Sequence, residues 1–253
     1  RESQAMAGIL DAQQRRRDAP PQARAAAARL SDPRTVAIVT GQQAGLFGGP
    51  LFTLLKAITA ITLADRVRAR HGVPAVAVFW IDAEDHDWDE VKSCGLLDAT
   101  LAHRTVAVGD PPGAHGEPVA RVTLDDSIER AMADLGSILP QTDFSAAMFD
   151  TLRAAYHAGA GMADAFGRWM EATLGPRGLV VYDAADPAAK PLVAHVFAHE
   201  IEHAGDTLTL SLVATAIGDY AGVNLQVALT SPPSIVSGPV STFAAPAGAA
   251  FGL

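Results

Sequence analysis

Two apolar runs without alternation, TVAIVT at 35–40 and VPAVAVFW at 73–80, constrain this chain more than any other feature. A strand with one wet face alternates polar and apolar residues, and a strand covered on both faces does not. Each run therefore reads as a strand of a parallel sheet with helices on both sides. Between them, Leu51, Leu54, Leu55, Ile58, Ile61 and Leu63 recur mostly at spacings of three and four. Arg66, Arg68 and Arg70 gather late in the run, which predicts a helix that Gly72 stops. Strand, helix and strand make a βαβ unit, the crossover that parallel pairing demands. Further strands of the same sheet are expected at about 178–182 and 223–229, the latter after a helix over LSLVATAIGDYAG. From 96 to 160 the rhythm breaks: VAVGDPPGAHGEPVARVTL reads as two short strands about a Pro/Gly turn, and helices are expected from Asp125 and from Phe144. That stretch reads as an insertion in a core covering 1–230. Residues 231–253, rich in Pro, Gly and Ala, read as an irregular tail.

Charge narrows the partners. With 28 acidic and 19 basic residues, the formal net charge is −9, which argues against a nucleic-acid surface. The run Arg15, Arg16 and Arg17 has no interleaved aromatics and reads as a solvated face. One cysteine, Cys94, excludes an intrachain disulfide and a thiol-rich metal site, and it reads as a small buried hydrophobe. No run approaches a membrane span and no secretory leader is evident, so a cytoplasmic location without membrane contact is the default expectation.

Polar chemistry is concentrated where the two strands end. The first feeds GQQAGLFGGP, in which Gly41, Gly45 and Gly49 permit a tight bend, Pro50 suits the first turn of the helix and Lys56 follows two turns in. N–H groups gathered at such a bend favour a phosphate or carboxylate, and the amides of Gln42 and Gln43 would orient a polar ligand. The second strand ends in Asp82, Glu84, Asp85, His86, Asp87, Asp89 and Glu90, six carboxylates and an imidazole within nine residues. Such a cluster is a solvated loop, or it binds an ammonium, orients an acid–base imidazole, or holds a divalent cation. The strand near 180 adds Asp183 at the same edge. His199, Glu200 and His203 fit H-E-x-x-H, but the helix that carries them belongs to a doubly wound pattern, so a zinc hydrolase is the weaker alternative.

With these residues in view, the chain resembles the bacillithiol biosynthesis cysteine-adding enzyme family. The resemblance rests on VTGQQAGLFGGPLFTLLKAITAI, VFWIDAEDHDWDEV, GMADAFGRWM and GLVVYDAADPAAKPL. It implies an α/β, Rossmann-like core of the nucleotidyltransferase or class I aminoacyl-tRNA synthetase type, followed by a helical coiled-coil domain. It also implies addition of cysteine to the amine of glucosamine-malate, the last step in making bacillithiol. A carboxylate does not acylate an amine unaided, so ATP or another activating nucleotide is expected, with Mg2+ an optional companion and no resident metal. Placement suggests His86, Glu84, Asp85 and Lys56 as catalytic, with Gly41, Gln42, Gln43, Gly45, Gly49, Asp87 and Asp183 binding substrate or nucleotide. The coiled-coil half is expected to be absent here, and a homodimer is expected only where that half is present. The alternative from a different class is a silent α/β interaction domain.

Overall fold

The structure is a computed structural model that describes residues 2–202 and three further strands at 209–216, 223–230 and 241–244. It divides into two compact units, 1–189 and 190–253.

The first unit is built on the βαβ element read from the sequence. Strand β1 (Val36–Gln43) runs parallel to β2 (Ala75–Asp82), pairing Val36 with Ala75 at one end and Gln43 with Asp82 at the other. The crossover is α3 (Leu51–His71), which ends where Gly72 takes the left-handed conformation at φ 64°. Strand β5 (Val180–Asp183) adds in parallel on the far side of β2, giving the order β1-β2-β5. The central strand lacks alternation because both its faces are covered. Ala75, Ala77, Phe79 and Ile81 join a core containing Ala57, Ala60 and Ile61 of α3 with Phe166 and Met170 of α7 (Met162–Leu174). Val76 and Val78 face the other way, onto Leu10 of α1 (Glu2–Arg16) and Ala26 and Ala27 of α2 (Pro21–Arg29). This is a Rossmann-like three-layer arrangement. Among the described residues, no helix is long and apolar enough to cross a membrane.

Between β2 and α7 the chain makes a short helix α4 (Trp88–Val91), an antiparallel hairpin of β3 (Ser93–Leu97) with β4 (His103–Ala107), and helices α5 (Ser127–Ile138) and α6 (Ser145–Ala155). The hairpin lies upstream of the Pro/Gly turn around which two strands were expected. Beyond that turn, residues 119–121 form a single 3-10 turn, and Thr123 makes only an isolated bridge to Gly161.

The Arg15–Arg17 run is only partly a solvated face. Arg17 is buried, donating to Glu171 through Nε and Nη2 at 3.0 Å each and to the Val181 carbonyl at 2.7 Å. Burial pushes the Glu171 carboxyl up, and the guanidinium opposes that shift. This fork ties α1 to α7 and β5.

The second unit begins with α8 (Lys190–Glu202). It also contains β6 (Thr209–Ala216), β7 (Val223–Thr230) and β8 (Ser241–Ala244), an antiparallel sheet in the order β6-β7-β8. Two expectations are thereby corrected. LSLVATA is a strand, because its helical spacing is too short to outweigh β-branched Val213 and Thr215. The run 223–229 is a strand as expected, but its partners are antiparallel neighbours close in sequence and not the parallel sheet.

Candidate functional site

The carboxyl ends of β1 and β2 bring the two sequence clusters together. Because Gln43 pairs with Asp82 in register, the loop after β1 and the acidic segment after β2 leave the sheet side by side. Gln43 Nε2 donates to Asp85 Oδ2 at 2.6 Å and to Glu90 Oε2 at 3.0 Å, so one amide joins two carboxylates. That amide is the first cause holding the Asp85 carboxyl below its usual range, with the His86 and Asp87 N–H groups adding to it. Asp82 shifts up, through burial first and then the nearby charges of Asp85 and Glu84.

A second polar group lies beside the first. Lys56 Nζ donates to the Gly41 carbonyl at 3.2 Å and to Gln42 Oε1 at 3.0 Å, and lies 5.5 Å from the centre of the Phe52 ring. The ammonium therefore fixes Gln42 and closes the carboxyl end of β1. Gly41 has a packing reason as well: a Cβ there would stand 2.8 Å from the Trp80 carbonyl oxygen.

The glycine bend differs from the anion nest that its composition suggests. The N–H of Gly45 goes to Gln43 O, that of Gly48 to Gly45 O and to the Tyr156 hydroxyl, and that of Gly49 to Leu46 O. These donors serve the bend itself. Phe47, Gly48 and Gly49 all have positive φ, at 52°, 96° and 70°, and a Cβ on Gly48 would meet the Trp169 ring at 2.3 Å. Tyr156, the residue that follows α6, holds the bend, accepting from Gly48 N–H and donating to Gly45 O, both at 3.1 Å, while its ring meets Phe47 edge-on. The donors that remain for an anion are the Leu51 and Phe52 N–H groups at the start of α3, where Pro50 supplies no side-chain cap and the Thr53 N–H goes to the Pro50 carbonyl. Thr53, in that first turn, has a fully buried hydroxyl without a partner.

A cleft of about 420 Å³ opens here between Gln42, Gln43, the start of α3, Glu90 and the first residues of β3. Its two ends differ in sign, with helix N–H groups on one side and Glu90 on the other. Cys94 lies on the wall, half-buried, its thiol pushed up by burial and thus poorly suited to act as a thiolate.

Of the other expected residues, His86 is exposed, with Nδ1 3.9 Å from Asp85 Oδ1. Glu84 is also exposed, and Asp87 accepts from Glu90 N–H at 3.2 Å as the cap of α4. Asp183 ends β5 opposite Ile81, at the same edge of the sheet. Gln13 binds its backbone on both sides, its side chain accepts from Ala185 N–H, and burial raises its carboxyl. Glu90 and Tyr156 are the participants that the sequence reading did not select. Glu90 was legible as part of the acidic run, whereas nothing in the sequence marks Tyr156. His115 forms a loose group with Asp89 and Asp110, but the Lys92 ammonium already sits between the two carboxylates, at 2.5 and 3.0 Å. The H-E-x-x-H match extends to His203, outside the described residues.

Comparisons with known proteins give the family. The family described as bacillithiol biosynthesis BshC, N-terminal Rossmann-like domain, matches residues 1–229. A protein of Salinibacter ruber named "Putative cysteine ligase BshC" is 38% identical over 175 residues, covering 68% of this chain and 31% of its own length. Proteins of the same name from Symbiobacterium thermophilum and Solibacter usitatus are 35% and 32% identical over 184 and 211 residues, covering 68% and 83% of this chain. The chain spans about a third of the length of these curated relatives, between 31% and 39%. By its family match and by these identities, the chain belongs to the bacillithiol biosynthesis BshC family, in the part that carries its N-terminal Rossmann-like domain.

Proposed function

We propose that this domain supplies the substrate cleft of a cytoplasmic carbon–nitrogen ligase that joins cysteine to the amine of glucosamine-malate in the last step of bacillithiol biosynthesis. The observation that carries this reading is the two-signed cleft at the carboxyl ends of β1 and β2, in a chain of the BshC family. An amino acid is a zwitterion. The uncapped start of α3 suits its carboxylate, and Glu90 suits its ammonium, while Gln42 and Gln43, held by Lys56 and by the Asp85 and Glu90 carboxylates, set the distance between them.

An activating nucleotide, ATP or another, supplies the group that turns a carboxylate oxygen into a leaving group. The chain's own residues then have separable tasks. The acidic segment around Glu84, Asp85 and Asp87 holds the attacking amine as its ammonium, and His86, exposed and beside Asp85, takes the proton that must leave it. The amine nitrogen forms the new bond to the carboxyl carbon, the carbon–oxygen bond to the leaving group breaks, and the leaving oxygen keeps the electron pair. Homodimerisation belongs to this reading only for a protein that also carries the coiled-coil half.

The test uses a full-length protein with this domain, incubated with cysteine, glucosamine-malate and ATP and analysed by mass spectrometry for the thiol product. Replacing Gln42 and Gln43 together by alanine is expected to raise KM for cysteine by about tenfold or more, and His86→Ala to lower kcat by roughly a hundredfold. Product formation that ignores both variants would remove the cleft from the mechanism. No product with any nucleotide donor would leave the interaction-domain reading ahead.

A further inference from the structure

A second cleft, of about 430 Å³, lies at the opposite edge of the parallel sheet, where β2 and β5 begin. Eight residues of β2 separate the two edges, roughly 23 Å at strand rise, so this cleft is distinct from the one that holds Gln43. Its wall is formed by Gln22 and Arg29 of α2, Arg68 of α3, Ala75 of β2, and Arg177 and Gly178 in the turn before β5. Three guanidinium groups thus converge on one cavity with no carboxylate on its wall, in a chain whose net charge is −9.

The three arginines are not equivalent. Arg68 is anchored, donating through Nη1 to the Ala75 carbonyl at 2.6 Å and pairing through Nη2 with Asp65. Arg29 and Arg177 are exposed, and their guanidinium groups have no hydrogen-bond or ion-pair partner among the described residues. Each arginine stands at or just past a helix C-terminus, where the backbone dipole favours a cation, and that explains the residue type at each position. It does not explain the convergence of three such ends. Like charges around one cavity repel, and the repulsion is relieved by an anion that all three can reach. The guanidinium fork fits two oxygens of a phosphate at once, and the Gln22 amide adds a further donor.

We propose that this cleft binds a small polyanion carrying phosphate or pyrophosphate oxygens, at a site separate from the carboxyl-edge cleft and independent of the ligase reading. A ligand here joins α2, α3 and the turn before β5, so binding stabilises the folded domain by mass action.

The test is thermal unfolding of the protein with pyrophosphate, inorganic phosphate, or sodium chloride at matched ionic strength, supported by calorimetric titration of the first two. Pyrophosphate is expected to raise the midpoint saturably and more than phosphate does, with chloride inert. This would mark pyrophosphate-like groups as the better fit, and a stronger response to phosphate would mark single phosphoryl groups instead. Arg29→Ala with Arg177→Ala should weaken binding by about tenfold or more, since two charge-assisted forks are lost. Arg29→Lys with Arg177→Lys keeps the charge and loses the fork, so it should fall between wild type and the alanine pair. A response matched by chloride, an alanine pair that binds as tightly as wild type, or a lysine pair indistinguishable from wild type would each overturn the site.

Discussion

Gln43 joins two carboxylates through one amide nitrogen, and that geometry dictates what its replacement does. Asp85 owes its lowered pKa first to this amide, so Gln43→Ala should move the Asp85 titration back up toward the ordinary carboxylate range. A carboxylate with a depressed folded pKa contributes stability that is present above the unfolded value, near 3.9, and is lost as pH falls through the folded value. The variant lacks that increment, so it should be less stable than wild type above the unfolded value, and the gap should close as pH falls through the wild-type folded value. Carboxyl-carbon NMR of Asp85 against pH checks this, and an unchanged midpoint would mean that the amide does not set the charge of the site. The sequence already carried much of this residue-scale picture, because Gln42, Gln43, Lys56 and the acidic run sit at strand ends where an α/β sheet collects its ligands. It placed Asp183 at the same edge, and β5 does end there, with Asp183 opposite Ile81 and its backbone held on both sides by Gln13. It also gave the glycine N–H groups an anion to bind, when the bend takes up those donors itself. Part of that arrangement was hidden in the sequence, because the hydroxyl that receives the Gly48 N–H belongs to Tyr156, 108 residues away.

At the scale of elements, the βαβ unit and the stop at Gly72 were legible, because local periodicity and backbone freedom determine them. Contacts across 100 residues or more were not. The Tyr156 hydroxyl bonds Gly45, and Arg17 bonds Glu171, over separations of 111 and 154 residues. Tyr156→Phe leaves the Gly45 carbonyl short of a buried donor and is expected to lower stability by about 1–3 kcal/mol. It should also speed hydrogen exchange at the Gly48 amide, and an unaltered exchange rate there would show that the hydroxyl does not hold the bend. Arg17→Met strands a carboxylate in the core, at a cost of about 3–5 kcal/mol by urea unfolding, and adding Glu171→Leu should recover most of it. Removing the guanidinium pushes the Glu171 carboxyl further up, so the single variant's stability should fall as pH rises past the unfolded value, near 4.3. If the double variant is no more stable than the single one, the pair gives more to the fold than its neutralised charges. The second unit shows the same limit from the other side. LSLVATA is short and apolar, and such a run satisfies helical and extended spacing about equally until pairing with 223–230 decides it.

For the whole molecule, the division at Ala189 places all three strands of the parallel sheet, both of its cores and the Arg17–Glu171 pair inside one unit. Among the described residues, the parallel sheet takes its strands from the first unit alone. The parallel unit should therefore fold by itself. Residues 1–189 expressed alone are expected to unfold in one cooperative transition with a calorimetric enthalpy of roughly 130 kcal/mol near 60 °C, from about 0.7 kcal/mol per residue. Its weak side is β1, which has a strand neighbour on one side only and leaves Val39 at 56% exposure, while Leu51 and Leu55 of α3 stand at 70% and 54%. That surface should bind a hydrophobic dye without loss of near-ultraviolet circular dichroism, the sign of a packed core with an uncovered flank and not of a molten globule. A broad, non-cooperative transition with lost near-ultraviolet signal would show that the sheet needs residues beyond 189 to hold its packing.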